Sequence, residues 1–158
     1  MTLATRNYDT TTPAKLIAIS AVLTLLPIAG IAAGDSKAAV IDRVSMAMAA
    51  FSSGKRTTFV ASYTDAPSIL DDVAPYGWHN AGAWFDRVRP LFRNLTMRAG
   101  TPLEVLVDRD SAFIAVPMTI DGETAKGKAL KGRGYWTGTL VLTSGVWRVA
   151  NAAITITE

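Results

Sequence analysis

After Gly100 the chain changes period, and that change restricts the folds open to it more than any other feature. "PLEVLVDRD" alternates apolar and polar residues, "SAFIAVPMTI" follows, and "GRGYWTGTLVLT" and "VWRVANAAITIT" flank Ser144-Gly145, a two-residue hairpin signal. Pro117 predicts an edge position or a bulge, and "DGE" at 121–123 predicts a turn. Before Gly100 the spacing is helical. Across "AAVIDRVSMAMAAF", Val40, Val44, Ala47, Met48 and Phe51 recur at three- and four-residue intervals, which predicts a helix over 38–51 stopped by Gly54. "KRTTFVASY" predicts a second helix over 55–63, weakened by the β-branched Thr57, Thr58 and Val60. Pro67 closes that region and "SILDD" reads as a short strand. "NAGAWFDRVRPLFRN" carries Trp84, Val88, Leu91 and Phe92 as the stripe of a third helix, kinked or shortened by Pro90. Helices first and a meander of strands afterwards is the α+β pattern, one sheet with helices on one face.

At 158 residues and 49% apolar, the chain suits one domain with a substantial core. The net charge of +3 is a mild excess and does not argue for a nucleic-acid partner, which usually shows as a concentrated basic face. With no cysteine, disulfides, thiolate catalysis and cysteine-ligated metals are excluded. With one histidine and no acidic cluster at ligand spacing, neither a metal nor a cofactor is expected.

The N-terminal segment reads as an address. Arg6 and Lys15 precede an uncharged run from Leu16 to Gly34, which Pro27 interrupts and small residues close. That predicts a signal peptide over 1–34, cleaved near Ala32 to Gly34, and an exported (periplasmic or secreted) domain over 35–158. The competing reading is an uncleaved anchor, with membrane contact only through residues 16–34.

Chemistry-bearing side chains crowd into "SILDDVAPYGWHNAGAW" at 68–84, which holds Asp71, Asp72, Tyr76, Trp78, Trp84 and the single histidine, His79. In an extended chain Ile69 and Asp71 share one face, and Leu70 and Asp72 the other. Paired Asp residues also serve as turn formers and helix-start acceptors. His79 suits either a cavity rim or the cap of the third helix. Tyr and Trp bring a donor together with their area, which makes Tyr76, Trp78 and Trp136 candidates for lining a ligand site, with Asp72 beside them. Farther on, Lys126, Lys128, Lys131 and Arg133 crowd "AKGKALKGRG". That run reads as an anion- or membrane-facing patch, or as a solvated strand edge guarded by lysines.

The order of elements, together with "SYTDAPSILDD", "PYGWHNAGAW" and the closing "TSGVWRVANAAIT", resembles the NTF2-like (cystatin-like) superfamily in its SnoaL-like and ketosteroid-isomerase-like branch. The resemblance covers residues 38–158. It implies a cone in which a curved, mostly antiparallel sheet wraps with three N-terminal helices around a cavity. It also implies that Asp71 matches the isomerases' general base and that His79 could be its proton partner. Dimerisation through the open sheet is common in the family, so a homodimer is expected. The chain departs from the isomerases in two places: "SMAMAAF" has no tyrosine and "YWTGTLVL" no carboxylate. Without such oxyanion donors an enolate loses about 3 kcal/mol of stabilisation per donor.

Three functions are therefore expected in order. The first is binding of a small apolar or aromatic molecule in the cone. The second is isomerase, dehydratase or cyclase chemistry with Asp71 as base. The third is a homodimeric interaction module whose cone is filled by its own side chains. Whether the chain is an enzyme stays open at this point.

Overall fold

The computed structural model describes residues 33–157. The expected signal over 1–34 lies outside the described residues, save for Ala33 and Gly34, which open the first helix. Among the described residues no helix is long and apolar enough to cross a membrane.

Helix α1 (Ala33–Ser52) buries Val40, Val44, Ala47, Met48 and Phe51, the predicted stripe. Helix α2 (Arg56–Ala61) is shorter than predicted, because Tyr63 opens strand β1 (Tyr63–Leu70) instead of closing a helix. The β-branched residues and Pro67 favour extended backbone once Phe59 has been buried. The predicted strand "SILDD" is corrected at both ends: it starts at Tyr63 and stops before Asp71. Strand β2 (Gly77–Trp78) pairs back antiparallel, Ile69 opposite Trp78. Helix α3 (Ala81–Val88) starts on Asn80, whose side-chain oxygen accepts from the Ala83 N–H at 2.8 Å. Asn80, not His79, is therefore the cap.

The third helix ends earlier than its apolar spacing suggests. Pro90 sits in a 3-10 turn (Arg89–Leu91), and β3 (Phe92–Ala99) follows, a strand the sequence did not announce. β4 (Glu104–Asp108), β5 (Ser111–Thr124), β6 (Ala129–Thr143) and β7 (Val146–Ile156) complete the sheet. The predicted turn at 121–123 is strand instead. A Cβ on Gly122 would stand 3.0 Å from the carbonyl oxygens of Arg93 and Asn94, so the glycine makes room for a bulge in β3. The Ser144-Gly145 hairpin forms as read, with φ of 51° and 76° and Thr143 opposite Val146.

The strand order is β2-β1-β7-β6-β5-β3, with β4 on the other half of the β5 edge. Among the described residues only β1 and β7 pair in parallel. Pro117 lies neither on an edge strand nor in a bulge: β6 pairs with β5 on one side, and β3 and β4 share the other. β4 pairing ends at Ala115 and β3 pairing begins at Met118, so Pro117 falls where no ladder donor is needed. Ala112, Ile114, Val116 and Met118 of β5 face the helices with Trp136, Leu140 and Val149. Gly138 lets the Trp136 ring lie across its own strand, since a Cβ there would be 2.5 Å from that ring.

Candidate functional site

The aromatic side chains of the helices meet inside the curved sheet. Phe51 stacks on Trp84 with centroids 4.6 Å apart, Phe59 lies 5.3 Å from Trp84, and Tyr63 lies 4.8 Å from Phe59. This cluster fills much of the interior. What remains is a hollow of about 70 Å³ and a crevice of about 10 Å³ reaching Tyr63 and Trp136. Phe51, Trp84, Phe92, Met97 and Ile120 give the hollow apolar walls, and Asp71 is the carboxylate facing it. Ile156, 37% exposed, also lines it and marks its mouth. A cavity of about 150 Å³ takes up benzene, so this hollow accommodates the end of such a molecule.

Strand alternation aims Asp71. Ile69 is buried, Leu70 is exposed, and Asp71, first residue past β1, turns inward again. Its N–H donates to the Tyr76 carbonyl at 3.0 Å, and the Tyr76 N–H donates to the Val73 carbonyl at 2.9 Å, which closes the loop into β2. Tyr76 reaches a φ of 69° to make that turn. The Trp84 indole Nε1–H donates to Asp71 Oδ2 at 2.7 Å. Burial among apolar walls raises the Asp71 pKa above the usual carboxylate value, against hydrogen bonds from Trp84 and from the backbone N–H groups of Asp72 and Val73. Buried Tyr63 lies close enough to feel Asp71. Burial pushes its phenol well above the ordinary tyrosine range, with the Trp136 indole opposing.

The other candidates are not gathered here. Asp72, Tyr76 and His79 are exposed and do not line the hollow. Trp78 is half-buried against the core, and its indole N–H is buried without a hydrogen-bond partner. Trp136 is buried and lines the narrow crevice. Trp84, read from sequence as part of the third helix's apolar stripe and of the chemistry-bearing stretch, supplies the side-chain hydrogen bond to Asp71, and Tyr63 lies in the adjoining crevice. A buried tryptophan needs an acceptor for its N–H, and that need could have linked Trp84 to the nearby aspartates. Among the described residues no group of three His, Asp or Glu side chains could hold a metal ion.

No protein-family model matches the chain, and no curated protein matches it in sequence. Solved structures do match. The hexachlorocyclohexane dehydrochlorinase LinA-type3 of Novosphingobium barchaimii superposes with a TM-score of 0.70 at 13% identity, over 78% of this chain and 87% of that one. A ketosteroid isomerase-like protein from Erwinia carotovora atroseptica gives 0.68 at 15% identity, over 78% and 98%. A cystatin-like protein of unknown function from Nostoc punctiforme gives 0.67 at 10% identity, over 80% and 93%. The chain has the NTF2-like (cystatin-like) α+β fold, as its sequence led us to expect. That fold hosts several chemistries, so it brings no activity with it.

Proposed function

We propose that this is an exported NTF2-like domain that binds a small, largely apolar molecule, one end inserted in the hollow and a donor group of the ligand meeting Asp71. The observation that carries the reading is a single half-buried carboxylate facing an otherwise apolar hollow of about 70 Å³. Such sites take orientation from their few polar groups and affinity from their walls. Export rests on residues 1–34 alone, and is checked by N-terminal sequencing of the protein recovered outside the cytoplasm.

Trp84 touches both Asp71 and the hollow, so its fluorescence reports occupancy. Titration with phenol and with toluene should give saturable changes that a Trp84→Phe variant loses. Asp71→Asn should weaken phenol more than toluene. If phenol and toluene bind alike to both proteins, or neither saturates, the reading fails.

A catalytic reading, with an isomerase, dehydratase or cyclase reaction, is favoured by the raised pKa of Asp71, which suits a general base. With His79 away from the hollow, the second proton would pass through solvent or the substrate. Turnover of an enolisable ketone that Asp71→Asn abolishes would support it.

For the homodimer, the favouring observation is an exposed apolar row on the outer sheet face. Leu106 and Phe113 are cross-strand neighbours there, 57% and 37% exposed.

A further inference from the structure

We infer that Arg98, Thr119 and Arg133 form a second site, on the face of the sheet turned away from the helices, for a small carboxylate with an apolar body. The inference is independent of the hollow and goes beyond the function proposed above. Strand register creates it: Arg98 of β3 is opposite Thr119 of β5, which is opposite Arg133 of β6. Their neighbours in sequence, Met97, Met118 and Gly134, are buried, so these three point outward. Two strand spacings separate the arginines, about 10 Å, close enough for both side chains to lean over Thr119.

Clefts of about 370 Å³ and 510 Å³ open on the two sides of this row, and Arg98, Thr119 and Arg133 line both. The carboxylate in the second cleft, Asp121, is the cross-strand partner of Lys131, so the cation directly opposite it is Lys131 and not either arginine. Among the described residues the ion pair present is Arg56–Asp86, far from this face. Among the described residues neither Arg98 nor Arg133 has a carboxylate within ion-pair distance, and the acid that shares a cleft with them is Asp121, opposite Lys131. Like charges on one row repel, and an oxyanion between them removes that repulsion while engaging both forks.

The first cleft says what the anion carries. Pro117 and Tyr135 are cross-strand neighbours one row along, both line it, and Tyr135 is 45% exposed. A prolyl ring beside a phenol offers a flat apolar floor of the kind an aryl group covers. Thr119 supplies a hydroxyl between the charges. On the far side the Thr157 N–H donates to the Arg133 carbonyl at 2.8 Å, which keeps β6 and the chain end together beneath the site. The cluster "AKGKALKGRG", which reads from sequence as either an anion patch or a solvated edge, thus divides. Lys131 stands opposite Asp121, and Arg133 belongs to the site.

The test is a titration of the isotopically labelled full chain with benzoate, benzamide and inorganic phosphate, followed by amide chemical shifts. Benzoate should move the amides of residues 98–100, 118–119 and 133–135 saturably, and benzamide should not. Arg98→Ala and Arg133→Ala should each weaken benzoate about tenfold or more, since a hydrogen bond to a charged group is at stake. Tyr135→Ala should weaken benzoate and leave phosphate unchanged. Absence of saturation by about 50 mM, equal response to benzamide, or indifference to both arginine substitutions overturns the inference. Protection of this row by a second copy, seen as concentration-dependent shifts without ligand, overturns it as well.

Discussion

Asp71 occupies a position that disfavours its own charge. Burial holds its folded-state pKa above the value in an unfolded chain, so between those two values the native protein keeps a proton that the unfolded chain has lost. Stability therefore falls as pH rises through that window, and above it the cost persists. Asp71→Asn removes the charge and keeps an oxygen for the Trp84 N–H. We expect the variant to melt higher than the parent at pH 7. The two melting curves should converge as pH drops below the ordinary carboxylate value of 3.8. Asp86 has a lowered pKa because of Arg56 and shifts stability the opposite way, but it is common to both proteins and cancels in the difference. Thermal melts from pH 3 to 8 decide it, and a parent that is the more stable at pH 7 would show that the hydrogen bonds outweigh burial. At this scale the sequence was legible where alternation governs, since the Ile69–Asp71 face is correct. Asp72 is exposed like Leu70, as alternation places it, whereas His79 and Tyr76 were not legible, because the loop after β1 has no period. Backbone bonds at Asp71 and Tyr76 set their directions.

The elements are joined by a few polar ties that no sequence pattern announces. Arg89 donates to the carbonyls of Phe51 and Ser52 at the end of α1, at 2.8 and 2.9 Å, and to Phe92 at 2.8 Å where β3 begins. Ser52 Oγ accepts from the Met97 N–H at 2.8 Å and donates to the Met48 carbonyl at 2.9 Å. These bonds explain why the chain leaves helix at Val88. The 3-10 turn around Pro90 places Arg89 under α1, and β3 then pairs with β5 instead of continuing the apparent Val88–Leu91–Phe92 stripe. Only Leu95 and Met97 of "FRNLTMRA" are fully buried, so the strand carries too weak an alternation to compete with a helix reading. Long strands with a strong pattern, β5 to β7, were legible by contrast, save for 121–123, where Gly122 reads as a turn and lies in β5. Arg89→Ala should cost about 2–3 kcal/mol in urea unfolding, because helix-end carbonyls lose charged donors. Gly138→Ala should cost about 1–3 kcal/mol, because the added Cβ would press on both the Trp136 ring and the Asn151 carbonyl oxygen of β7, each 2.5 Å away. A loss under about 0.5 kcal/mol at either position would mean that the local contact is not what holds it.

On the scale of the molecule, the sheet divides the protein into an inner face that is nearly filled and an outer face with two chemically different ends. Along β5 the outward residues run Phe113, Ala115, Pro117 and Thr119, so the Leu106–Phe113 row lies about 20 Å from the arginine row. A second copy can cover the apolar end while the basic end stays open to a small ligand, and the two proposals then coexist. Leu106 separates them experimentally. It is 57% exposed, so Leu106→Asp takes nothing from the core and should leave unfolding within about 0.5 kcal/mol in dilute protein. In a two-fold dimer the substitution enters twice, removing apolar burial and adding two carboxylates to the contact. At about 1–1.5 kcal/mol per copy, the dissociation constant should rise about 100-fold. Sedimentation velocity of the full chain should therefore find a dimer that Leu106→Asp converts to monomer at equal concentration, with benzoate binding at Arg98 and Arg133 retained. A parent that sediments as a monomer, or a dimer indifferent to the substitution, would move the interface elsewhere. Loss of benzoate binding along with the dimer would tie the anion site to the assembly rather than to the single chain.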